Sequence, residues 1–425
     1  MLLTFTNRLK LNRAENDALR AMCRLSKNLF NVGLYNVRQY FFNEKKFLRY
    51  EGSYHYAKSN ENYTLLPTDI GQQTLKVVDR AFRGFFNLIK LKKTGQYDAK
   101  VRLPGYLPKD GFFPLIIPIR ERDLLRLKDK NWQYKIPMSR PFKRSFGRIT
   151  LTIPEKIRDK IVKEISILPK YKARVFDIAY VYEAGEEEKL VNGTDTIGID
   201  LGVNNLATCV STKGDSFIID GKRLKNLNQW YNKRNAKLQS IKDIQGIEDI
   251  TFQQALLLDR RKHQIQDYLN KSVRFIIDRC LNTGINKIVV GYNPGIKLNA
   301  NMGTRNNQNF VQIPLSTLRS KLQSLCEPVG IEYIETEESY TSKASAIDGD
   351  EIPKYNLNDP QKYTFSGKRI KRGLYRTKTG QLINADANAS LNILRKHLGL
   401  SKANDLKMIR RISGCLTHPK RIRSF

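Results

Sequence analysis

Residues 196–212 read TIGIDLGVNNLATCVST. The pattern is two apolar strands joined by a tight turn, and the first ends on a carboxylate, Asp200, ahead of a Leu-Gly pair. An acid at the end of a buried strand is costly unless it is paired or holds a cation; the plainer reading of Asp200 is a turn cap. Downstream the alternation continues. A long polar helical region covers about residues 223–283, with Ile265, Leu269, Val273, Ile276 and Cys280 on one face of its second half. The apolar strand NKIVVGYN (286–293) follows, then a helix from Leu315 to Cys326 with Leu318, Leu322 and Leu325 inward. After these come the strand in IEYIETEESYTSKAS (331–345), a basic insert, and a last helix in NADANASLNILRKHL (384–398). Alternating strands and helices predict an α/β sheet covered on both faces.

Upstream the rhythm differs. Residues 1–12 predict a short strand alternating through Leu3 and Phe5. From Arg13, the residues Ala18, Met22, Leu25, Leu29 and Val32 recur at helical steps. Glu51 to Tyr63, polar and rich in Tyr and Asn, reads as a loop. A second helix follows Thr68 as N-cap, buries Leu75, Val78, Phe82, Phe85 and Ile89, and carries Lys76, Arg80, Arg83, Lys90, Lys92 and Lys93 elsewhere. The short runs LIIPI, WQYKIPM, RITLTIP, EISILPKY and RVFDIAYVYE then predict one small antiparallel β unit, completed by the first strand. GEEEKLVNG (185–193) ends it, with a domain boundary near Asn192.

Charge narrows the function. With 75 Lys+Arg against 41 Asp+Glu the net charge is +34, which calls for a polyanionic partner, foremost nucleic acid. The cations are spread from Arg8 to Arg423 rather than gathered on one amphipathic helix, which argues against a membrane-surface role. No apolar run is long enough to span a bilayer, and the N-terminal one is too short for a signal peptide, so a cytoplasmic protein is expected. Cys23, Cys209, Cys280, Cys326 and Cys415 are far apart, with no C-x-x-C, which excludes a zinc ribbon and a disulfide framework.

Phosphodiester cleavage needs neither histidine nor cysteine. Two hard Mg²⁺ ions about 3.5–4 Å apart can be held by carboxylates from separate elements while water and phosphate fill the remaining positions. Asp200 and Asp386 are candidates if they meet in space, although an acid that opens a helix is more often an N-cap.

Three segments carry a resemblance: GIDLGVNNLAT (198–208), SYTSKAS (339–345) and NADANASLNILRK (384–396). In order and spacing they resemble the RuvC-like nuclease half of the TnpB family, insertion-sequence-encoded RNA-guided DNA nucleases related to type V CRISPR effectors. The resemblance covers roughly the last half of the chain, and the N-terminal half looks like the family's recognition and wedge regions. It implies an α/β, RNase H-like (RuvC-like) domain preceded by a small wedge-like β unit with an inserted helical recognition domain. It implies a guide RNA, double-stranded target DNA, Mg²⁺ (or Mn²⁺), and a monomer with one RNA in the prokaryotic cytosol, at the nucleoid. Asp200 matches the family's first catalytic aspartate, and Asp386 its last, with Asn388 in the accompanying Asn-Ala pair. The expected division is 1–13, first strand of the wedge-like domain; 14–110, recognition helices; 111–192, remainder of the wedge; 193–338, first part of the nuclease domain; 339–382, basic insert; 383–400, last nuclease helix; and 401–425, basic tail.

The chain departs from the family in two places. The family carries a glutamate at the end of the strand that here reads KIVVGYN, where Gly291 or Tyr292 stands. It also usually carries a four-cysteine zinc ribbon after the YTS motif. The insert here has no cysteine, and SGKRIKRGLYRTKTG (366–380) predicts a basic hairpin. Its Lys368, Arg369, Lys371, Arg372 and Arg376, with Arg80, Arg83, Lys90, Lys92 and Lys93, are the expected nucleic-acid contacts.

The missing acid has two readings. Either the nuclease is inactive and the protein is an RNA-guided DNA binder acting as a repressor, or the third carboxylate has moved to the adjacent strand, whose end carries Glu332, Glu335, Glu337 and Glu338. Sheet neighbours lie about 4.8 Å apart, within a glutamate's reach. Alternation puts Glu337 and Glu338 on opposite faces, so one serves, and Glu338 is preferred. Glu332 and Glu335 are expected at the surface or in ion pairs. On the favoured reading, Asp200, Glu338 (or Glu337) and Asp386 are catalytic metal ligands. A third, more distant class is an unguided RNA- or DNA-binding protein on the same scaffold.

Overall fold

The structure is a computed structural model that describes residues 2–120, 123, 132–183, 185, 193–293, 313–355, 362–399, 402–423 and 425. It divides into two compact units: Met1–Gly185 with Ser240–Leu256, and Glu186–Gln239 with Leu257–Phe425. The boundary expected near Asn192, and most of GEEEKLVNG, lie outside the described residues.

In the first unit, β1 (Leu2–Arg8), β6 (Val175–Glu183), β5 (Ile161–Lys170) and β2 (Leu115–Pro118) form an antiparallel sheet in that order. The single β unit expected from sequence is split. Strands β3 (Gln133–Lys135) and β4 (Thr150–Thr152) pair only with each other. Pro137 and Pro154 stand just beyond them, and a proline cannot donate to a ladder.

Helix α1 (Arg13–Glu44) starts at a capping box in which Asn12 and Glu15 satisfy each other's backbone N–H. Two expectations fail nearby. Residues 51–63 are not a loop: α2 (Tyr50–Ala57) and α3 (Glu61–Thr64) occupy them. The first turn of α2 is held from outside, because Asp79 accepts the Tyr50 N–H at 3.0 Å, while Asn60 caps α3. Thr68 is not an N-cap either. It is already helical in α4 (Thr68–Lys93), whose cap position is Pro67 with φ −57°; the Pro67 carbonyl accepts the Gly71 N–H at 3.0 Å. The apolar face of α4 (Leu75, Val78, Phe82) packs as the periodicity predicts.

The second unit is built on a six-stranded sheet ordered β11 (Glu332–Glu337), β10 (Ile285–Tyr292), β7 (Asp195–Leu201), β8 (Asn205–Ser211), β9 (Ser216–Asp220), β15 (Lys420–Ile422). β7, β10 and β11 run parallel, and β8 is antiparallel to both neighbours. One face buries Ile197, Ile199, Ile288 and Val290 against α8 (Phe252–Thr283) and α9 (Leu315–Cys326). The other buries Val210 and Val289 against α10 (Ala385–Leu398) and α11 (Lys402–Thr417). The helical region read over 223–283 consists of two helices, α7 (Lys222–Ile244) and α8, separated where Gly246 takes φ 62°. The basic tail is also a correction. It forms α11, with Ile409, Ile412 and Leu416 buried, and the edge strand β15. Between the β11 end and α10, β12 (Lys368–Lys371), β13 (Leu374–Arg376) and β14 (Leu382–Asn384) make a small antiparallel sheet, so the basic segment is a hairpin.

Candidate active site

The site forms where α10 meets the carboxyl ends of β7, β10 and β11. Side chains alternate along a strand, so Gly198 and Asp200 share one face of β7, and Val289 and Gly291 share the same face of β10. That is the face α10 covers. The approach is close: a Cβ on Gly198 would lie 2.6 Å from the Ser390 carbonyl oxygen, and Ser390 Oγ donates to the Gly198 carbonyl at 2.8 Å. Ser390 is one turn beyond Asp386. Clamping it on Gly198 brings the start of α10 over Asp200, two residues along β7.

The unusual composition of α10 follows from this packing. Asn388, Ser390 and Asn392 are fully buried, which is tolerable only if they are hydrogen-bonded. Asn388 donates to the Ala344 carbonyl at 2.8 Å and accepts from Ala346 N–H at 2.9 Å. Asn392 donates to the carbonyls of Thr341 and Ala344 at 2.8 and 2.7 Å. The segment SYTSKAS is thereby stapled to α10, and Glu338, immediately before it, is fixed. Thr341 Oγ1 also donates to the Glu338 carbonyl at 2.8 Å.

The two adjacent glutamates part company here. Glu337 is ion-paired with Lys396 and accepts the Ser339 N–H at 2.6 Å. Burial would raise its pKa, but these bonds outweigh that and hold it below the ordinary glutamate value. Glu338 turns to the α10 face: its Oε2 lies 2.9 Å from where a Cβ on Gly291 would stand. Burial, then the charge of Glu337, pushes its pKa up, and Arg319 partly offsets this. Glu335 pairs with Arg319 at 3.1 Å and Glu332 with Lys287 at 2.9 Å.

Asp200 is pushed well above the usual carboxylate range, first by burial and then by the negative charges of Asp386 and Glu338; Arg369 acts the other way. The structure thus places Asp386 and Glu338 within electrostatic reach of Asp200 and sends Glu337 to Lys396. Asp386 is not the helix cap. Asn384 is, accepting from the N–H groups of Asp386 and Ala387 at 3.0 Å each. The Asp386 carboxylate instead accepts from Asn205 Nδ2 at 2.6 Å and from Arg369 Nη2 at 2.8 Å. Behind Asn205, Arg421 Nη1 donates to Asn205 Oδ1 at 2.9 Å and to Asp220 Oδ1 at 2.7 Å.

The donor type suits a hard divalent cation, which prefers carboxylate oxygens, although the oxygens of Asp200, Glu338 and Asp386 do not all lie within 4.8 Å of one another. The sequence named all three. It missed Asn205 and Arg421. Asn205 was findable in principle, because a polar residue follows the Asp200 turn in the same motif. Arg421 carried no signal among so many basic residues.

The remaining candidates are exposed. Arg80, Arg83, Lys90, Lys92 and Lys93 lie on α4 in the first unit, where Arg83 is paired with Asp79 at 2.6 Å. Lys368, Lys371, Arg372 and Arg376 lie on the hairpin of the second unit, and Arg369 reaches from it to Asp386 and to the Arg372 carbonyl. Two carboxylates, Asp348 and Asp350, tie the base of this cysteine-free insert. Asp348 accepts from Ser345 Oγ at 2.6 Å, Ser366 Oγ at 3.2 Å and Lys378 N–H at 2.8 Å. Asp350 accepts from the N–H groups of Ser345 and Ser366 at 2.7 and 3.1 Å.

Residues 179–297 match the family described as OrfB_IS605, probable transposase. Over 419 residues the chain is 25% identical to the TnpB-like protein ORF457 of Acidianus two-tailed virus, covering 92% of this chain and 86% of that protein. The chain is similar to TnpB-like proteins. Its fold is similar to that of the protein in a Cas12f1–sgRNA–target DNA complex, with a TM-score of 0.55 at 13% identity, over 90% of this chain and 83% of that one. This likeness and the sheet order agree on a RuvC-like, RNase H-like fold. Among the described residues no helix is long and apolar enough to cross a membrane.

Proposed function

We propose that the chain is an RNA-guided, Mg²⁺- or Mn²⁺-dependent DNA endonuclease in which Glu338, from the end of β11, supplies the acid that TnpB relatives carry on β10. The observation that supports it is the space above Gly291: a side chain at 291 would crowd Ile393 and the Glu338 carboxylate, whose Oε2 lies 2.9 Å from where the added Cβ would stand. The similarity to a TnpB-like protein and the fold shared with the protein of a Cas12f1 complex containing an sgRNA and target DNA support the guided part of the reading.

Asp200, Glu338 and Asp386 would hold the ions, whose contribution when bound is to stabilise charge on the phosphate and to lower the pKa of an attacking water. The protein's own part is positioning. Asn205 fixes the rotamer of Asp386, and α10 fixes Glu338 through Asn388 and Asn392. Arg369 presents a planar guanidinium beside the carboxylates, suited to the backbone of the strand being cut. The exposed cations of the hairpin and of α4 bind nucleic acid through phosphates, with salt-sensitive affinity. In this scheme the first unit serves as the wedge-like β domain with its inserted recognition helices, the second as the nuclease domain with the insert over 339–382, and the complex works as a monomer with one RNA at the bacterial or archaeal nucleoid.

Gly291 is also the observation that favours the second reading, a nuclease-inactive guided repressor. One experiment separates them. The purified protein–RNA complex is assayed for Mg²⁺-dependent cleavage of matched DNA, comparing wild type with Asp200→Ala, Glu338→Ala and Glu337→Ala. The endonuclease loses cleavage in the first two variants and keeps it in the third. Undiminished cleavage by Glu338→Ala removes the relocated glutamate; tight guided binding with no cleavage by wild type identifies the repressor.

A further inference from the structure

We propose that the cavity between the start of α7 and the C-terminal strand β15 binds an unpaired nucleotide of the DNA strand that runs to the Asp200–Glu338–Asp386 site. The identity of the ligand rests on the nuclease reading above; the existence of the site does not.

The cavity has a volume of about 670 Å³ and is lined by Asp220, Lys222, Arg223, Trp230, Arg421 and Arg423, among others. That size falls in the range of roughly 300–1,000 Å³ that takes a small ligand. Its charge is lopsided, four cations to one acid, and the acid is neutralised already because Arg421 pairs with Asp220 at 2.7 Å. Among the described residues neither Lys222 nor Arg423 has an ion-pair partner, so both remain available to phosphate.

The aromatic group decides the class of ligand. Trp230 is 38% exposed, and the Arg260 guanidinium lies 5.7 Å from its ring centroid. An exposed indole among guanidinium groups stacks on a base and pairs its phosphate. The bases of a duplex already stack on their neighbours, so a single strand is the occupant.

Connection to the catalytic carboxylates decides the role. Arg421 lines the cavity and donates to Asn205, and Asn205 donates to Asp386. Two side chains therefore separate the nucleotide site from a proposed catalytic ligand. A base held at Trp230 places the adjoining backbone toward that ligand, and β15, paired with β9 through Arg421 and Ile218, builds the wall.

The test uses the full-length protein with its co-purified RNA, in EDTA so that nothing is cut. A short single-stranded DNA carrying 5-iodouracil is bound, irradiated and mapped by mass spectrometry, and affinity is measured by fluorescence anisotropy. The expected result is a cross-link at Trp230, a loss of affinity of roughly five- to a hundredfold for Trp230→Ala, a smaller loss for Trp230→Phe, and weaker binding for Arg423→Gln. Cross-links confined to other residues, with Trp230→Ala binding as wild type, overturn the site. A preference for single-stranded RNA of the same sequence, or for duplex DNA, overturns the assignment of the ligand. Trp230→Phe keeps an aromatic ring in place, so a folding defect in Trp230→Ala does not blunt the test. If Trp230 cross-links but wild type never cuts guided DNA in Mg²⁺, the nuclease reading fails and this site stands; guided cutting without a Trp230 cross-link does the reverse.

Discussion

Gly291→Ala tests the placement of Glu338 directly. The added Cβ would lie 2.6 Å from Ile393 Cδ1, 3.3 Å from Ile393 Cγ1 and 2.9 Å from Glu338 Oε2. Ordinary contact needs at least about 3.4 Å, so something must move. β10 cannot, because β7 and β11 hold it on both sides. Ile393 is fully buried and stiff at χ1. Overpacking of this kind costs about 1–3 kcal/mol, and replacing a strand glycine returns roughly 0.5–1 kcal/mol. The net loss is about 0–2.5 kcal/mol, or at most roughly 5–10 °C of Tm for a domain of this size. Stability is therefore the weaker readout. The Glu338 oxygen must retreat by about half an ångström or more, and a misplacement of about 1 Å at a reacting centre can cost on the order of 10²-fold in rate. The expected outcome is single-turnover cleavage slowed by roughly 10- to 100-fold, guided DNA binding in EDTA unchanged, and Tm lowered by no more than about 10 °C. In the Glu338→Ala background the same substitution should slow cleavage no further, because both changes act on one carboxylate. Wild-type cleavage by Gly291→Ala, or losses that multiply in the double variant, would refute the reasoning.

Three further outcomes follow from the geometry. Mg²⁺ or Mn²⁺ should raise the Tm of the wild type, by the equivalent of about 2.7 kcal/mol at a hundred times Kd. Asp200→Asn should abolish that rise while raising the metal-free Tm, since it removes a carboxylate that Asp386 and Glu338 repel; differential scanning fluorimetry with and without EDTA reads both. Asp79→Ala should cost about 1–3 kcal/mol, because it strips the Tyr50 N–H and Arg83 of their partner, and hydrogen exchange should quicken over residues 50–57. Asp348→Ala should leave Ser345, Ser366 and the Lys378 N–H without their acceptor, seen as faster exchange over residues 366–378 with α10 unaffected.

The parts of the fold that were legible are those whose stability is written locally. Ile265, Leu269, Val273, Ile276 and Cys280 are all buried, because a helix that packs on a sheet must repeat its apolar residues at the helical period. The errors share the opposite property. α2 is short, and its first N–H is satisfied by Asp79, 29 residues away, so no window around Tyr50 contains the reason it is helical. β15 has three residues, two of them basic, and becomes a strand only because β9 offers an open edge. The α11 face of Ile409, Ile412 and Leu416 was present in the sequence but hidden by the basic composition around it. At the site, Asp200, Glu338 and Asp386 could be named from motif and charge, whereas the Asn205–Asp386 and Arg421–Asn205 bonds join residues 181 and 216 positions apart and exist only once the sheet is assembled.

On the proposed reading, the same assembly lets an acid change strands without the fold changing. Parallel neighbours lie about 4.8 Å apart, and β11 pairs Thr336 with Gly291. Glu338 stands two residues beyond Thr336, on the same face and roughly 6.6 Å further along the strand direction. Its side chain is long enough to lean back over the glycine, and Oε2 does so. A glutamate on β10 and one at 338 would then claim the same volume and repel each other in a half-buried setting. The two positions are mutually exclusive hosts for a single carboxylate. On the proposed reading, glycine at 291 leaves room for a carboxylate arriving from β11, and Gly291→Ala is the substitution that tests this steric reason.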